Sequence, residues 1–236
     1  MVMRIRGSWL AAMLLILGAR VPGYAAGPAP EGVLDRYLAA GTDTAAWNAA
    51  EVDIDASLPS LAESGRLRAI RRTLFGRIEY QILELLGDHT VKQQVIARYL
   101  SAEKEAAGIP ASQEAIGEAN YRFRFRGALE LNDTAAYLFE IIPRKKRVGL
   151  IRGELWIDPA TGALLRESGR MVRSPSFFIR RIDMVRDFNS SDGQPQARVT
   201  HFSIETRLVG RAELTVTERP LPDSQAMAAT QGAKVE

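Results

Sequence analysis

Few residues in this chain are placed to do chemistry. The only histidines are His89 and His201, and neither has a second histidine three or four residues away, so the spacing of a zinc site is missing. Ser174 and Ser176 flank a proline. A serine nucleophile needs a base beside it, and no G-x-S-x-G elbow or partner histidine nominates one. There is no cysteine, which excludes a thiol nucleophile, a disulfide frame, a zinc–thiolate site and an acylated lipobox. Glu140, Glu154 and Asp183 are acidic residues from which a glycosidase pair would be drawn. They fall in strand patterns whose faces the sequence leaves open, and strand carboxylates are more often solvated or ion-paired. No glycine-rich phosphate loop is present. The chain is therefore read as non-enzymatic, with no metal and no cofactor.

Two basic features remain. Arg122, Arg124 and Arg126 alternate with Tyr121, Phe123 and Phe125. Such a comb can stack single-stranded nucleic acid, but it is also the pattern of a half-buried strand with a basic outer face. Arg144-Lys145-Lys146-Arg147 is a basic turn, either a solvated tip or a contact for lipid headgroups. With 31 basic and 28 acidic residues the formal charge is only +3, so no nucleic-acid partner is expected.

The elements that hold these residues begin after a leader. Residues 1–26 carry Arg4 and Arg6, an apolar run from Trp9 to Ala19, and Tyr24-Ala25-Ala26 after Pro22-Gly23. This is the pattern of a cleavable secretory signal peptide, and the apolar run is shorter than the ~20 residues of a spanning helix. The expectation is export to the periplasm without lipidation. Glu31–Ala40 has Val33, Leu34, Tyr37 and Leu38 at helical spacing, stopped by Gly41.

Strand patterns follow. Val52, Ile54, Ala56 and Leu58 alternate with Asp53, Asp55 and Ser57; Leu67 and Ala69 alternate with Arg66 and Arg68. Residues 77–86 and 91–100 fit helix or strand equally, with the Gly87-Asp88 break favouring a hairpin. Residues 101–108 read as a short helix. From Asn120 onward strands dominate: 121–126, 135–142 (apolar enough for a strand covered on both faces), 148–157, 164–172, 177–188, 198–209 and 211–218. Asp158-Pro159-Ala160-Thr161-Gly162 is a hairpin loop. About ten short strands joined by tight turns predict an antiparallel sheet curling toward a barrel.

The stretch from Tyr121 to Leu221 resembles the LolA-like family of outer-membrane lipoprotein-sorting proteins, in an exported branch. The fragment GELWIDPATG carries most of the resemblance, with Trp156, Ile157-Asp158 and a turn ending at Gly162. RRIDMVRDF and ETRLVGRAELT add to it. The resemblance implies a mainly β (α+β) fold: an incomplete antiparallel β-barrel, or half-barrel, with short helices over its concave face and an apolar cavity beneath them. The helix at Val33–Leu38 and the excursion at Ser101–Glu118 are the candidate lids.

The expected organisation is a signal peptide at 1–26, one half-barrel domain at 27–221 and a disordered tail at 222–236. Strand parity nominates Phe123, Phe125, Trp156, Phe178, Ile182, Met184, Phe202, Ile204 and Leu208 as the apolar interior, either lipid-binding or closed core. The resemblance implies a periplasmic carrier or chaperone that binds an acyl chain or lipidated protein for transfer toward the outer membrane. An inner-membrane transporter or outer-membrane acceptor would be its partner, with transient membrane contact and a monomeric chain. The alternative is an envelope interaction protein that docks through its sheet edge or basic surface, with a filled core.

Overall fold

A computed structural model describes residues 27–41, 47–191 and 194–222. The expected signal peptide at 1–26 lies outside the described residues, as does the expected tail beyond its first residue. One antiparallel sheet of ten strands forms the body: β1 (Ala49–Leu58), β2 (Glu63–Leu74), β3 (Arg77–Gly87), β4 (Tyr121–Leu131), β5 (Thr134–Pro143), β6 (Ile151–Ile157), β7 (Leu164–Met171), β8 (Ile179–Ser191), β9 (Gln194–Thr206) and β10 (Arg211–Pro220). Their order across the sheet is β3-β2-β1-β10-β9-β8-β7-β6-β5-β4. The edges β3 and β4 do not pair, so the barrel is incomplete, as the resemblance implies.

Two runs of sequential hairpins are joined by one distant pairing. β1 pairs with β10 in a ladder from Ala50 opposite Pro220 to Ser57 opposite Glu213. The chain between β3 and β4 must then cross from one edge to the other, and it carries most of the helix: α2 (His89–Val91), a π-helical stretch Lys92–Ile96, α3 (Ala97–Ala106) and α4 (Ala111–Glu114). The remaining helix, α1 (Pro30–Ala40), precedes β1. It starts with proline at its first turn, where a missing N–H costs nothing.

The ambiguous stretch 77–100 resolves into a strand and a helix. Residues 91–100 do not return as a hairpin strand. Val91, Val95, Ile96, Tyr99 and Leu100 recur at helical spacing, and Val91, Val95 and Ile96 are buried against β1 and β2. The 135–142 run is half-covered rather than enclosed: in β5 Ala136, Phe139 and Ile141 are buried and the residues between them are partly open. The expected strand at 177–188 starts later, at Ile179. Ser174 Oγ donates to the carbonyls of Ser176 and Ile179 and holds 174–178 as a turn.

Register places one face of every strand on the concave side. A transverse row runs Phe123, Ile141, Gly153, Gly169, Met184, Phe202, Leu214, Ala56, Gly65, Gly87. The concave core falls into two clusters. One joins β1, β2 and β10 to the 91–96 turn around Ile54, Leu58, Leu67 and Leu214. The other joins α1 to β4–β7 around Tyr121, Ile141, Leu155 and Ile157. Phe202 packs against both.

Gly153 and Gly169 face each other across β6 and β7. A Cβ on Gly153 would overlap the Ser168 backbone, and one on Gly169 would lie 2.8 Å from the Arg152 carbonyl oxygen. The pair lets these strands approach and bend where the sheet curls. Gly153→Ala is therefore expected to destabilise the protein by at least about 1–3 kcal/mol through overpacking. Gly32→Ala, on a helix position where an added Cβ meets nothing within 4 Å, is expected to be neutral or stabilising. Urea unfolding of the two variants checks the contrast.

Candidate functional site

The concave face is apolar except at its centre. In the row next to the one above, Phe125, Phe139, Leu155, Glu167, Arg186, Thr200, Val216, Ile54, Leu67 and Leu85 follow one another across the ten strands. Glu167, Arg186 and Thr200 thus interrupt an otherwise apolar line. One register step further on, Arg198 pairs with Glu218 across β9 and β10. Arg71 enters from β2 in the same parity as Leu67 and Ala69.

These groups form three ion pairs, two of them sharing Glu218. Arg186 Nη1 lies 3.2 Å from Glu167 Oε2, and its Nε donates to Thr200 Oγ1 at 3.1 Å. Glu218 receives Arg198 Nε at 2.6 Å, and Arg71 Nε lies 3.3 Å from its other oxygen. Arg71, Glu167, Thr200 and Glu218 are all buried. Arg198 also covers the ring of Trp47 at 5.6 Å.

The helices add polar groups from above. Glu103 of α3 has its carboxyl pushed above the ordinary value by burial first and by the charge of Glu218 second, against the opposing pull of Arg186, Arg71 and Arg198. The Tyr99 hydroxyl is pushed up by burial, then by Glu103 and Glu218, and its ring packs on Phe202 at 5.9 Å. In α1, the buried Tyr37 hydroxyl has no hydrogen-bond partner among the described residues. It is pushed up by burial and then by Glu167. Tyr121 is pushed up to about 12, mainly by burial, although its oxygen accepts from the Ile151 N–H at 3.2 Å.

The nominated interior residues separate into three groups. Ile182 and Met184 are buried on the concave face, and Phe123, Phe202 and Ile204 pack against its two clusters. Phe125 shares that face near the β4 edge and is 43% exposed, stacked near Tyr137 and Phe139. Trp156, Phe178 and Leu208 are elsewhere. Leu155 and Ile157 point inward, so strand alternation turns Trp156 to the convex face, where the Arg166 guanidinium lies 4.8 Å from its ring. Phe178 and Leu208 are in turns, 48% and 75% exposed.

Glu140 and Glu154 are directly opposed across β5 and β6 on the convex face. Arg126 and Arg152 pair with Glu140. Asp183 lies between Arg170 and Arg181, whose hydrogen bonds hold it below the ordinary value although burial pulls it up. Glu140 and Asp183 face guanidinium groups on an open surface. His201 meets Thr215 Oγ1 at 3.0 Å. Among the described residues no group of three or more His, Asp or Glu side chains is arranged to hold a metal. Two open grooves lie on the convex face, one over Glu140, Arg152 and Arg170 and one over Asp55, Arg66 and Leu86.

The buried Arg–Glu network is the feature that sequence reasoning missed. Its signal was parity: Arg186 lies between Met184 and Phe188, and Glu218 follows Val216, on the strand face that is otherwise apolar.

No protein-family model matches the sequence, and no curated protein matches it. Among solved structures the chain is similar to a LolA superfamily protein from Nitrosomonas europaea, at 11% identity over 82% of this chain and 95% of that one, with a TM-score of 0.37. It is also similar to MucB, at 13% identity over 81% and 92% with a TM-score of 0.26. The Pseudomonas aeruginosa MucA/MucB complex gives 12% identity over 81% and 93%, with a TM-score of 0.22. Superpositions this loose carry no weight beyond themselves, and the fold stands on its own strand order.

Two outcomes follow from the network. Glu218→Leu strands Arg71 and Arg198 and is expected to destabilise by about 3–5 kcal/mol. Asp55→Ala, which breaks an exposed pair with Arg66 on the convex face, is expected to cost no more than about 1 kcal/mol. Glu103 binds its proton more tightly folded than unfolded, so its contribution favours folding at low pH and is lost as pH rises above the ordinary carboxylate value. Glu103→Gln is expected to gain stability relative to wild type between about pH 4 and pH 7. Thermal melts across that range check the sign.

Proposed function

We propose that this protein is an exported, non-catalytic carrier whose concave face receives an acyl chain, free or on a lipidated protein, beneath displaceable helices. The observation that carries this reading is the separation of cover from sheet. Every strand is held by ladders, while the covers are held by few side chains: α1 buries Val33 and Tyr37, and the 89–106 crossover is anchored through Val91, Val95 and Ile96, with Tyr99 and Leu100 packed beside them. Burying the two α1 side chains stabilises by roughly 3–6 kcal/mol. An acyl chain of a dozen or so methylenes gains about 0.8 kcal/mol per CH₂ on leaving water, roughly 10 kcal/mol in all. A ligand of that length outweighs the burial that holds α1.

The chemistry of the face agrees. Phe123, Ile182, Met184, Phe202 and Ile204 offer apolar contact on both sides of the Arg–Glu network. The network supplies polar groups at the point where an acyl chain ends in an ester, amide or headgroup. No helix among the described residues is long and apolar enough to cross a membrane.

A second reading rests on the sheet edge. β3 is unpaired on one side, and Ile82, Leu83, Leu85 and Leu86 on it are 40–54% exposed. An exposed apolar edge is a template for a further strand. On this reading the core stays closed, and the edge docks an extended segment of an envelope protein.

Native mass spectrometry and lipid extraction on the chain from Gly27, purified without detergent, separate the two. The carrier reading expects a stoichiometric acyl-bearing adduct. Phe202→Glu should abolish it, and Trp156→Glu, on the convex face, should leave it. A clean apo mass and no uptake of a fluorescent fatty acid would end the carrier reading in favour of the edge.

A further inference from the structure

One end of the half-barrel differs in chemistry from the other. Both ends of the 88–120 crossover, with Asp88 and Glu118, reach that end, and so do four loops: 59–62 between β1 and β2, 144–150 between β5 and β6, 172–178 between β7 and β8, and 207–210 between β9 and β10. The loop sequences are PSLA, RKKRVGL, VRSPSFF and RLVG, with six Lys and Arg and no acidic residue. The described connections at the opposite end, 75–76, 132–133 and 158–163, contain Asp133 and Asp158 and no base.

Contacts join the four loops into a continuous rim. Ser60 Oγ donates to the Val209 carbonyl at 3.2 Å. The Arg207 N–H donates to the Phe178 carbonyl, and its Nε to the Phe177 carbonyl, at 2.9 and 2.8 Å. The Val172 N–H donates to the Leu150 carbonyl at 3.0 Å. The rim is also apolar at its tips. Leu61, Phe177, Phe178 and Leu208 are 50%, 76%, 48% and 75% exposed. Arg207 lies over the Phe177 ring at 4.6 Å and braces it outward. Lys145, Lys146 and Arg173 are exposed and make no ion pair with a described residue.

We infer that this rim docks the protein end-on to an anionic lipid bilayer. Phenylalanines and leucines on short, hydrogen-bonded turns sit at the depth of the headgroups, and the surrounding cations meet lipid phosphates. Both kinds of group lie on one end and are linked by backbone bonds, so they engage one plane together. A purely electrostatic partner would leave Phe177 and Leu208 in water without use. A purely apolar one would leave six cations unmatched. The inference is independent of what the concave face holds.

The experiment is co-sedimentation of the chain from Gly27 with vesicles of phosphatidylcholine, alone or mixed with phosphatidylglycerol, at low and high salt. Binding is expected only to the phosphatidylglycerol vesicles, weakening as salt screens the cations. Lys145→Glu with Lys146→Glu should weaken it by roughly tenfold or more. Phe177→Ser with Phe178→Ser should do the same while circular dichroism and fatty-acid uptake stay unchanged. These four residues are exposed in turns, so the variants should fold. Equal binding by both double variants and wild type would overturn the inference, as would binding that is lost only on Phe202→Glu, which would assign the contact to the concave face. Preferential binding of a soluble acidic peptide, with no sedimentation on vesicles, would also overturn it.

Discussion

The pairing of β1 with β10 is the interaction on which the rest of the structure depends. It is the one ladder between strands far apart in sequence. It closes the chain on itself, with the Leu221 N–H donating to the Ala49 carbonyl at 3.1 Å. Without it the β1–β3 meander has no attachment to β4–β10, and the concave face loses the wall that carries Val52, Ile54 and Leu58. The ladder also sets the polar centre, because it brings Arg71 of β2 within reach of Glu218 while Arg198 approaches from the other side. Such a contact closes a long loop and carries a large entropic cost, which the buried row on both strands offsets.

The consequence is a sheet with two open edges and a chain that must cross between them. Crossing over the concave face covers apolar residues that would otherwise meet water, so the helices follow from the topology. The cover is also the weakest layer. Helices held by a few side chains open at lower free energy than strands held on both sides. The π-helical stretch at Lys92–Ile96 lies where the crossing begins, an irregularity of the kind found where helices serve function rather than stability.

The buried Arg–Glu groups lie beneath this layer. Buried ion pairs are weak sources of stability but costly to break singly. The sheet contributes Arg71, Arg186 and Arg198 against Glu167 and Glu218, and Glu103 of the cover brings the third carboxylate toward them. Lifting α3 therefore uncovers a cationic excess at the centre of an apolar face, which suits the polar end of an acylated ligand.

Much of the sheet was legible because alternation is local. Val52, Ile54 and Ala56 against Asp53 and Asp55 state a half-buried strand outright, and the turn at 158–162 states its hairpin. The β1–β10 pairing was not legible, since no short-range pattern encodes a contact between residues 50 and 220. The stretch 91–100 was ambiguous because KQQVIARYL fits either period until a partner surface is known. By parity, Ile182, Met184, Phe202 and Ile204 fall on the concave face. Trp156 did not, because its size drew attention away from the inward positions of Leu155 and Ile157. Phe178 and Leu208 looked like strand residues, but serine hydroxyls and glycine hold their segments as turns. The charged network was hidden by the expectation that strand arginines and glutamates face solvent.

The most direct test of the central claim is amide hydrogen exchange with and without a bound long-chain fatty acid. The account predicts that 30–40 and 89–106 exchange faster than β1 and β10 in the free protein, and that their exchange changes on loading while the β1–β10 ladder stays protected. Helices as protected as that ladder, unchanged by the fatty acid, would contradict a displaceable cover and mark the concave face as closed core.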